Sequence, residues 1–238
     1  MSELASQVAL DLIPGIGNHG IKQLISYCGS AQSVLSAPKS KLLKIPGVGE
    51  KLAEVIVSSK SLDEAEKIIS KVEGMKAGIL HYTDKEYPER LKNTPDSPNL
   101  LYVKGSGNLN PSKCISIVGT RKATDYGKGL TEKIIADLKS LDVTIVSGFA
   151  YGVDIQAHKA CMNHKMPTLA VLAGGLNRIY PAAHKKYAEE IQSTGAILTE
   201  SIPDTKPDRH LFPARNRIIA GMTDATIVVE APEKSGAL

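Results

Sequence analysis

The sequence predicts an α/β protein in which an extended Rossmann-like, doubly wound and mostly parallel sheet follows a small all-α domain. From residue 100 onward, apolar β-rich runs alternate with stretches of helical periodicity, the pattern of buried parallel strands joined by crossover helices. Residues 1–76 lack such runs. The 238 residues are 42% hydrophobic and 23% charged, as in ordinary globular proteins. We therefore expect two domains, residues 1–76 and 77–238.

The N-terminal segment contains a repeated motif. Residues 13–17 and 45–49 both read Ile-Pro-Gly-hydrophobic-Gly, and helical apolar spacing follows each of them. The glycines permit tight turns, so we predict two helix–hairpin–helix units of the SAM-like type, with a further helix around residues 63–72. A hairpin of this kind can hold a phosphate through backbone N–H groups. It can equally well serve only to pack helices, and both interpretations stay open.

Residues 74–98 are rich in Pro-containing turns and are predicted to connect the two domains. Strands are then predicted at 100–103, 114–118, 143–146, 168–172, 196–199 and 226–229. Helices are predicted at 126–141, 153–164, 184–192 and 216–222.

The composition excludes several classes of protein. No apolar run approaches the roughly 18 residues of a membrane span, and the N-terminus has no signal-peptide pattern, so a cytoplasmic protein without a membrane partner is expected. Cys28, Cys114 and Cys161 form no CxxC pair, which argues against a disulfide framework and a zinc site. The net charge of +4 permits nucleic-acid binding without demonstrating it. Because Trp is absent and Phe occurs twice, few aromatic platforms are expected.

Three predicted strands end in glycine-containing turns. In an open parallel sheet these carboxyl ends share one edge, where ligands bind. The first turn is Gly119-Thr120-Arg121, the second is the stretch 147–152, and the third contains Gly174 and Gly175. Backbone N–H groups in such loops can hold a phosphate. Neither a Walker loop nor a GxGxxG dinucleotide motif is present, so no cofactor is predicted.

The polar residues of the second turn could suggest catalysis by Ser147, Asp154 and His158. No GxSxG elbow surrounds the serine, and no third ligand accompanies Asp154 and His158 as a metal site would require. We expect Asp154 in the first turn of a helix, where the helix dipole favours it, and His158 hydrogen-bonded within the loop. No catalytic residue and no metal ligand are predicted.

Cations are predicted at the same edge. Lys185 and Lys186 lie near the start of a predicted helix, and Arg215 and Arg217 flank Asn216 at the start of another. Asn216 is the predicted N-cap, and the two arginines beside the strand ends would form an anion site.

The stretches 117–121, 147–158, 174–181 and 212–221 resemble the DNA-processing protein A (DprA, or Smf) family, and the match covers most of residues 80–238. The resemblance implies an extended Rossmann fold that binds single-stranded DNA in natural transformation. It also implies loading of the RecA recombinase, a homodimer and an N-terminal SAM-like domain.

This chain departs from the family at two places. His184 stands where the family usually has Asn. The family also continues with a helix and strands after the Ser-Gly run that occupies 235–238 here, so the chain is expected to be incomplete at its C-terminus, near the family's dimer contacts.

The predicted DNA-binding residues combine the glycine turns, the loop into the second helix and the cationic segments. They are Gly119, Thr120, Arg121, Ser147, Gly148, Phe149, Ala150, Gly152, Asp154, His158, Gly174, Gly175, Lys185, Phe212, Arg215, Asn216 and Arg217.

Two enzymatic interpretations compete with single-stranded DNA binding. A nucleotide-cleaving Rossmann enzyme of the phosphoribohydrolase (lysine-decarboxylase-like) type would carry Pro-Gly-Gly-x-Gly-Thr followed by Glu, whereas residues 173–177 read Ala-Gly-Gly-Leu-Asn. A helix–hairpin–helix DNA glycosylase is suggested by residues 46–51, but the hairpin segment is too small to supply the remaining helices of such an enzyme. The leading interpretation is therefore a non-enzymatic DNA-binding protein.

Overall fold

The computed structural model describes residues 2–233 and 235–236. The strands are β1 (Gly78–His81), β2 (Leu100–Gly105), β3 (Cys114–Val118), β4 (Thr144–Ser147), β5 (Thr168–Val171), β6 (Ala196–Thr199) and β7 (Ala225–Val228). The helices are α1 (Glu3–Asp11), α2 (Asn18–Cys28), α3 (Ala31–Leu35), α4 (Lys39–Leu42), α5 (Glu50–Val57), α6 (Ser61–Gly74), α7 (Glu89–Lys92), α8 (Asp125–Leu138), α9 (Val153–Asn163), α10 (Lys185–Ile191) and α11 (Leu211–Gly221). No helix of the described residues is long and apolar enough to cross a bilayer.

The seven strands form one sheet in the order β1-β2-β6-β5-β4-β3-β7. The five strands from β6 to β7 are mutually parallel, while β2 pairs antiparallel with both β1 and β6. Strands β4, β5 and β6 are buried along their whole length, because helices cover both faces. The predicted Rossmann-like, mostly parallel α/β fold is confirmed.

Alternating side chains of the strands pack on the two faces of the sheet. On β2, Leu101 packs in the core that contains Ile218 of α11, whereas Leu100 and Tyr102 point to the opposite face. That opposite core also contains Ile68 of α6. The sheet is therefore a central layer between α11 with α7 on one side and α6, α9 and α10 on the other.

The N-terminal segment has two roles in this packing. Helices α2 to α5 enclose a small core of their own, which includes Leu24 and Ile56. The two hairpin turns use Gly15 and Gly47 at positive φ, a conformation that favours glycine. In contrast, α1 and α6 pack against each other and contribute Val8 and Ile68 to the core on the sheet. A domain boundary at residue 76 remains a prediction.

Several predicted boundaries need correction. The stretch 74–98 contains β1 and α7, which are each only four residues long, too short to show periodicity. The last predicted helix starts at Leu211 and not at Asn216. The cause is Pro213, which suggests a loop in the sequence but is tolerated in the first turn of a helix, where its missing N–H needs no partner.

A buried polar junction joins the N-terminal segment to β2. Asn99 donates from its side chain to the carboxylate of Asp11, at 3.4 Å, and to Asn18 Oδ1, at 2.8 Å. Burial raises the pKa of Asp11 from 3.8 to about 6, with the nearby Glu200 adding to the rise and Asn99 opposing it. Keeping Asp11 ionised in the folded protein therefore lowers the free energy of unfolding.

We expect Asp11→Asn to stabilise the protein at neutral pH. Because the pKa of Asp11 is higher in the folded than in the unfolded state, ionising this carboxyl lowers the stability of the protein. The loss is absent below about pH 4, grows as the pH rises and is complete above about pH 6. The shift from 3.8 to about 6 corresponds to about 2–3 kcal/mol in the free energy of unfolding. Urea unfolding at several pH values measures it. The exposed Asp137→Asn is the control, and a gain that is independent of pH would contradict the assignment.

Candidate nucleic-acid interface

The carboxyl ends of β3, β4 and β5 meet at one edge of the sheet, as expected for parallel strands. A cleft of about 770 Å³ opens there, between the end of β3, α11 and β7. Its walls include the predicted site residues Gly119, Thr120, Arg121, Ala150, Asp154, Phe212, Arg215 and Asn216. The structure thus brings eight of the predicted residues to a single cleft.

Two opposite charges, those of Arg215 and Asp154, lie buried behind the cleft. Arg215 is 5% exposed and donates from Nη1 to the carbonyl oxygens of Gly148 and Val171. Burial lowers the pKa of Arg215 to about 10, and the charge of Asp154 counteracts the fall, so the guanidinium stays charged. Asp154 is equally buried and accepts hydrogen bonds from the backbone N–H groups of Ala150 and Gly119.

Because these partners belong to the ends of three strands, the two buried side chains tie β3, β4 and β5 to α9 and α11. Burial raises the pKa of Asp154, and the charge of Arg215 opposes the rise. Arg215 is fully engaged by protein groups, which corrects its predicted role as half of an exposed anion site. It organises the edge from inside.

The glycines of the second turn are explained by this packing. A Cβ on Gly148 would lie 2.6 Å from Asp154 Oδ2 and 2.5 Å from Arg215 Nη2. Gly152 has φ 81°, and a Cβ there would overlap the carbonyl oxygen of Thr120. Gly148 makes room for the buried side chains of Asp154 and Arg215, and Gly152 makes room for the backbone of the first turn, which corrects the prediction of an open phosphate cradle.

The helix that follows offers few unused donors. The N–H of Val153 donates to Thr120 O at 3.2 Å, and the N–H of Ile155 donates to Ala150 O at 3.1 Å. The start of α9 is therefore closed by protein carbonyls and by the buried carboxylate of Asp154.

Gly174 and Gly175 are covered by the loop after β6. Gly175 donates its N–H to Thr205 O at 3.0 Å, and a Cβ on Gly174 would lie 2.9 Å from that same oxygen. Asp204 holds the loop in place through an ion pair with Lys71 and a hydrogen bond from the side chain of Asn177. Both glycines are buried, which corrects their prediction as phosphate ligands.

Ser147, Asp154 and His158 do not form a catalytic relay. Ser147 Oγ donates to Ile117 O at 2.6 Å, and His158 Nδ1 lies 2.8 Å from Thr168 Oγ1 on β5, not from a loop group as predicted. Burial lowers the pKa of His158 to about 3, so the ring is neutral. Among residues 2–233 and 235–236, no three His, Cys, Asp or Glu side chains are grouped as a metal would require.

Three further predictions change with the geometry. Phe149 is completely buried and cannot contact DNA directly. Arg217 pairs with Glu200 and lies 3.4 Å from Asp96, so its charge is neutralised within the protein. Asn216 lies inside α11 and donates from Nδ2 to Gly236 O at 2.7 Å, whereas the N-cap position belongs to His210.

Exposed groups at the cleft combine positive charge with aromatic rings. The guanidinium of Arg121 lies 4.6 Å from the centroid of the Phe212 ring, within cation–π range. The Phe212 ring lies 5.8 Å from that of Tyr180, which is 48% exposed. Arg209 also lines the cleft and is exposed. Arg209 was not among the residues predicted from the sequence. The signal that could have found it was a cation in the loop just before α11.

Lys185 and Ala182–His184 complete the edge. Lys185 is exposed at the first residue of α10. His184, which stands where the related family usually has Asn, is buried in the short 3-10 turn Ala182–His184, with Nδ1 3.1 Å from Phe149 O. His184 therefore supports the turn from its buried side.

Comparisons with known proteins match both parts of the chain. The family model described as DNA recombination-mediator protein A matches residues 78–238, and that of a SAM-like helix-hairpin-helix tandem matches residues 8–59. Protein Smf of Synechocystis is 36% identical over 241 residues, covering 100% of this chain and 61% of that protein. The Bacillus subtilis DNA processing protein DprA is 40% identical over 157 residues, covering 66% and 53%.

Two solved structures are also similar. DNA processing protein A from Streptococcus pneumoniae superposes with a TM-score of 0.82 at 30% identity, covering 100% of this chain and 81% of that chain. The protein from Helicobacter pylori, solved to study its single-stranded DNA binding mode, gives a TM-score of 0.61 at 32% identity, covering 68% and 72%. The chain spans about half to three fifths of the length of the curated relatives described above.

We expect Arg215→Met to destabilise the protein by about 3–5 kcal/mol, because it leaves Asp154 as a buried charge without its partner. Adding Asp154→Asn in the same chain should recover part of that loss, since the unpaired charge is then removed. Urea unfolding measures both. Lys133→Met, which breaks the exposed pair with Asp137, is the control and should cost at most about 1 kcal/mol. A similar small cost for Arg215→Met would contradict the central role of the two buried charges.

Proposed function

The chain belongs to the DNA recombination-mediator protein A family, and we propose that it is a non-enzymatic protein that binds single-stranded DNA at the carboxyl-terminal edge of its sheet. The observation that carries this proposal is the exposed Arg121 packed over Phe212 at the mouth of the cleft. A cation held against an aromatic ring offers a phosphate contact and a stacking surface side by side.

The surrounding groups extend this pattern. Arg209 in the cleft and Lys185 at α10 supply further positive charge, and Tyr180 supplies a second, half-exposed ring beside Phe212. Unpaired bases can stack on such rings, and a flexible backbone can follow the cations between them. A stiff duplex keeps its bases stacked on each other, so it should bind more weakly.

The same geometry argues against the nucleotide-cleaving alternative. Asp154, the carboxylate in the wall of the cleft, is buried and paired with Arg215. Glu230 accepts a hydrogen bond from the N–H of Thr124 at the start of α8. Both groups serve the fold, whereas hydrolysis needs a carboxylate that faces the substrate. The likeness to a protein solved for its single-stranded DNA binding also supports the proposal.

The finer parts of the proposal concern partners. The family description names a recombination mediator, and we propose that the bound strand is passed to the RecA recombinase during DNA uptake, in the cytoplasm and by a homodimer. For the N-terminal hairpins both interpretations stay open: contact with phosphate, or helix packing alone.

In a RecA assay on DNA coated by a single-strand-binding protein, we expect the wild-type chain to shorten the lag before ATP hydrolysis. Arg121→Ala should shorten the lag less than wild type does at the same concentration, because that variant holds the strand more weakly. An unchanged lag with wild type would refute mediation, and a monomeric mass by sedimentation would refute the homodimer.

The salt dependence of binding tests the proposed cations. Contacts from Arg121, Arg209 and Lys185 should give a slope of log K against log salt of about −2 for oligo-dT, at about −0.7 for each phosphate contact. Arg121→Ala should weaken binding and bring the slope to about −1.4. Lys139→Ala, which removes the same charge beyond the other end of α8, is the matched control. Equal affinity for oligo-dT and duplex, or a slope near zero, would favour a small-nucleotide site instead.

A further inference from the structure

A second group of aromatic side chains lies beside the cleft, around Tyr151. This residue directly follows Ala150 of the cleft wall, yet its side chain is 46% exposed. Its ring packs edge-on to the ring of His184, with centroids 5.0 Å apart and an interplanar angle of 73°. His184 is itself buried and hydrogen-bonded to Phe149 O, so Tyr151 rests on a fixed support. An exposed ring that is already ordered loses little entropy when a ligand binds it.

Two lysines accompany the rings that meet at His184. Lys159 of α9 places its ammonium 4.7 Å from the centroid of Tyr187, and Tyr187 in turn packs against His184 at 6.3 Å. Lys185 is exposed on the same short helix α10 as Tyr187. This group therefore contains an exposed ring, a cation over a neighbouring ring and an exposed lysine, whereas in the cleft the cation lies directly over Phe212.

The two groups are connected along the surface. Tyr180 contacts Phe212 of the cleft, and the turn that leads from Tyr180 ends at His184 beneath Tyr151. The charge and the exposed ring match an unpaired nucleotide, with a flat base and an anionic backbone, better than they match an apolar protein surface.

We propose that Tyr151 stacks on an unpaired base of the bound strand, so that single-stranded DNA continues from the cleft across α9 and α10. Lys159 and Lys185 then lie beside its phosphates. This inference rests on the proposed function. It adds a second subsite and a path for the strand across the surface. It predicts that a long strand uses Tyr151 and that a short strand filling only the cleft does not.

A fluorescent reporter can observe this contact directly. The chain has no tryptophan, so Tyr151→Trp introduces a single indole, whose emission is quenched when a base stacks on it. We expect quenching by oligo-dT of about 16 nucleotides and much less by oligo-dT of about 4 nucleotides. Tyr27→Trp on α2, where the native side chain is 57% exposed, is the matched control and should not respond.

Affinity measurements with the same two oligonucleotides complete the test. Tyr151→Ala should weaken binding of the long strand by about 5- to 100-fold, the effect of losing one stacked base, and leave the short strand unaffected. Tyr151→Phe, which keeps the ring, should bind both like wild type. Wild-type affinity of Tyr151→Ala for the long strand, with an unchanged melting temperature, would overturn the second subsite while leaving the cleft intact. If wild type binds neither strand, the proposed function itself fails.

Discussion

The buried charges of Arg215 and Asp154 are the constraint on which this edge of the molecule depends. Opposite charges in a dry environment are tolerable only when they offset each other and each also finds hydrogen-bond partners. Here the partners are backbone groups at the ends of three adjacent strands, including Gly148 and Val171. The two charges attract each other, and their hydrogen bonds to the backbone fix the relative positions of the loops that follow the strands.

These buried charges also separate structural from accessible groups. They occupy the inner side of the edge, and the covering loop after β6 shields Gly174 and Gly175. What stays open to solvent is the tip of the first turn, with Arg121, and the start of α11, with Phe212. A rigid, internally satisfied base beneath exposed cations and rings is suited to a ligand that is itself flexible.

The sequence predicted the architecture well because buried parallel strands leave a strong signal, and it located the edge because their carboxyl ends must meet. It was less informative about why particular residues stand there. Gly148 and Gly152 were predicted as places where a phosphate approaches the backbone, but the protein's own atoms fill the space beside them. In a sequence, a need for space looks the same whether a ligand or the protein fills it. Whether Arg215 faces inward or outward depends on the start of α11, which Pro213 concealed. Arg209 lies in a stretch without periodicity, where only the folded loop shows what a side chain faces.

The contribution of α1 and α6 to the sheet core has a consequence for how such proteins can change over evolutionary time. The small core of α2 to α5 also contains Leu10 of α1, and Asn18 of α2 is hydrogen-bonded to Asn99 just before β2. Val8 and Ile68 are part of the same apolar interior as Tyr102. An exchange of the entire N-terminal segment between relatives must therefore preserve a matching contact surface on β2. The helical segment and the sheet are constrained to change together.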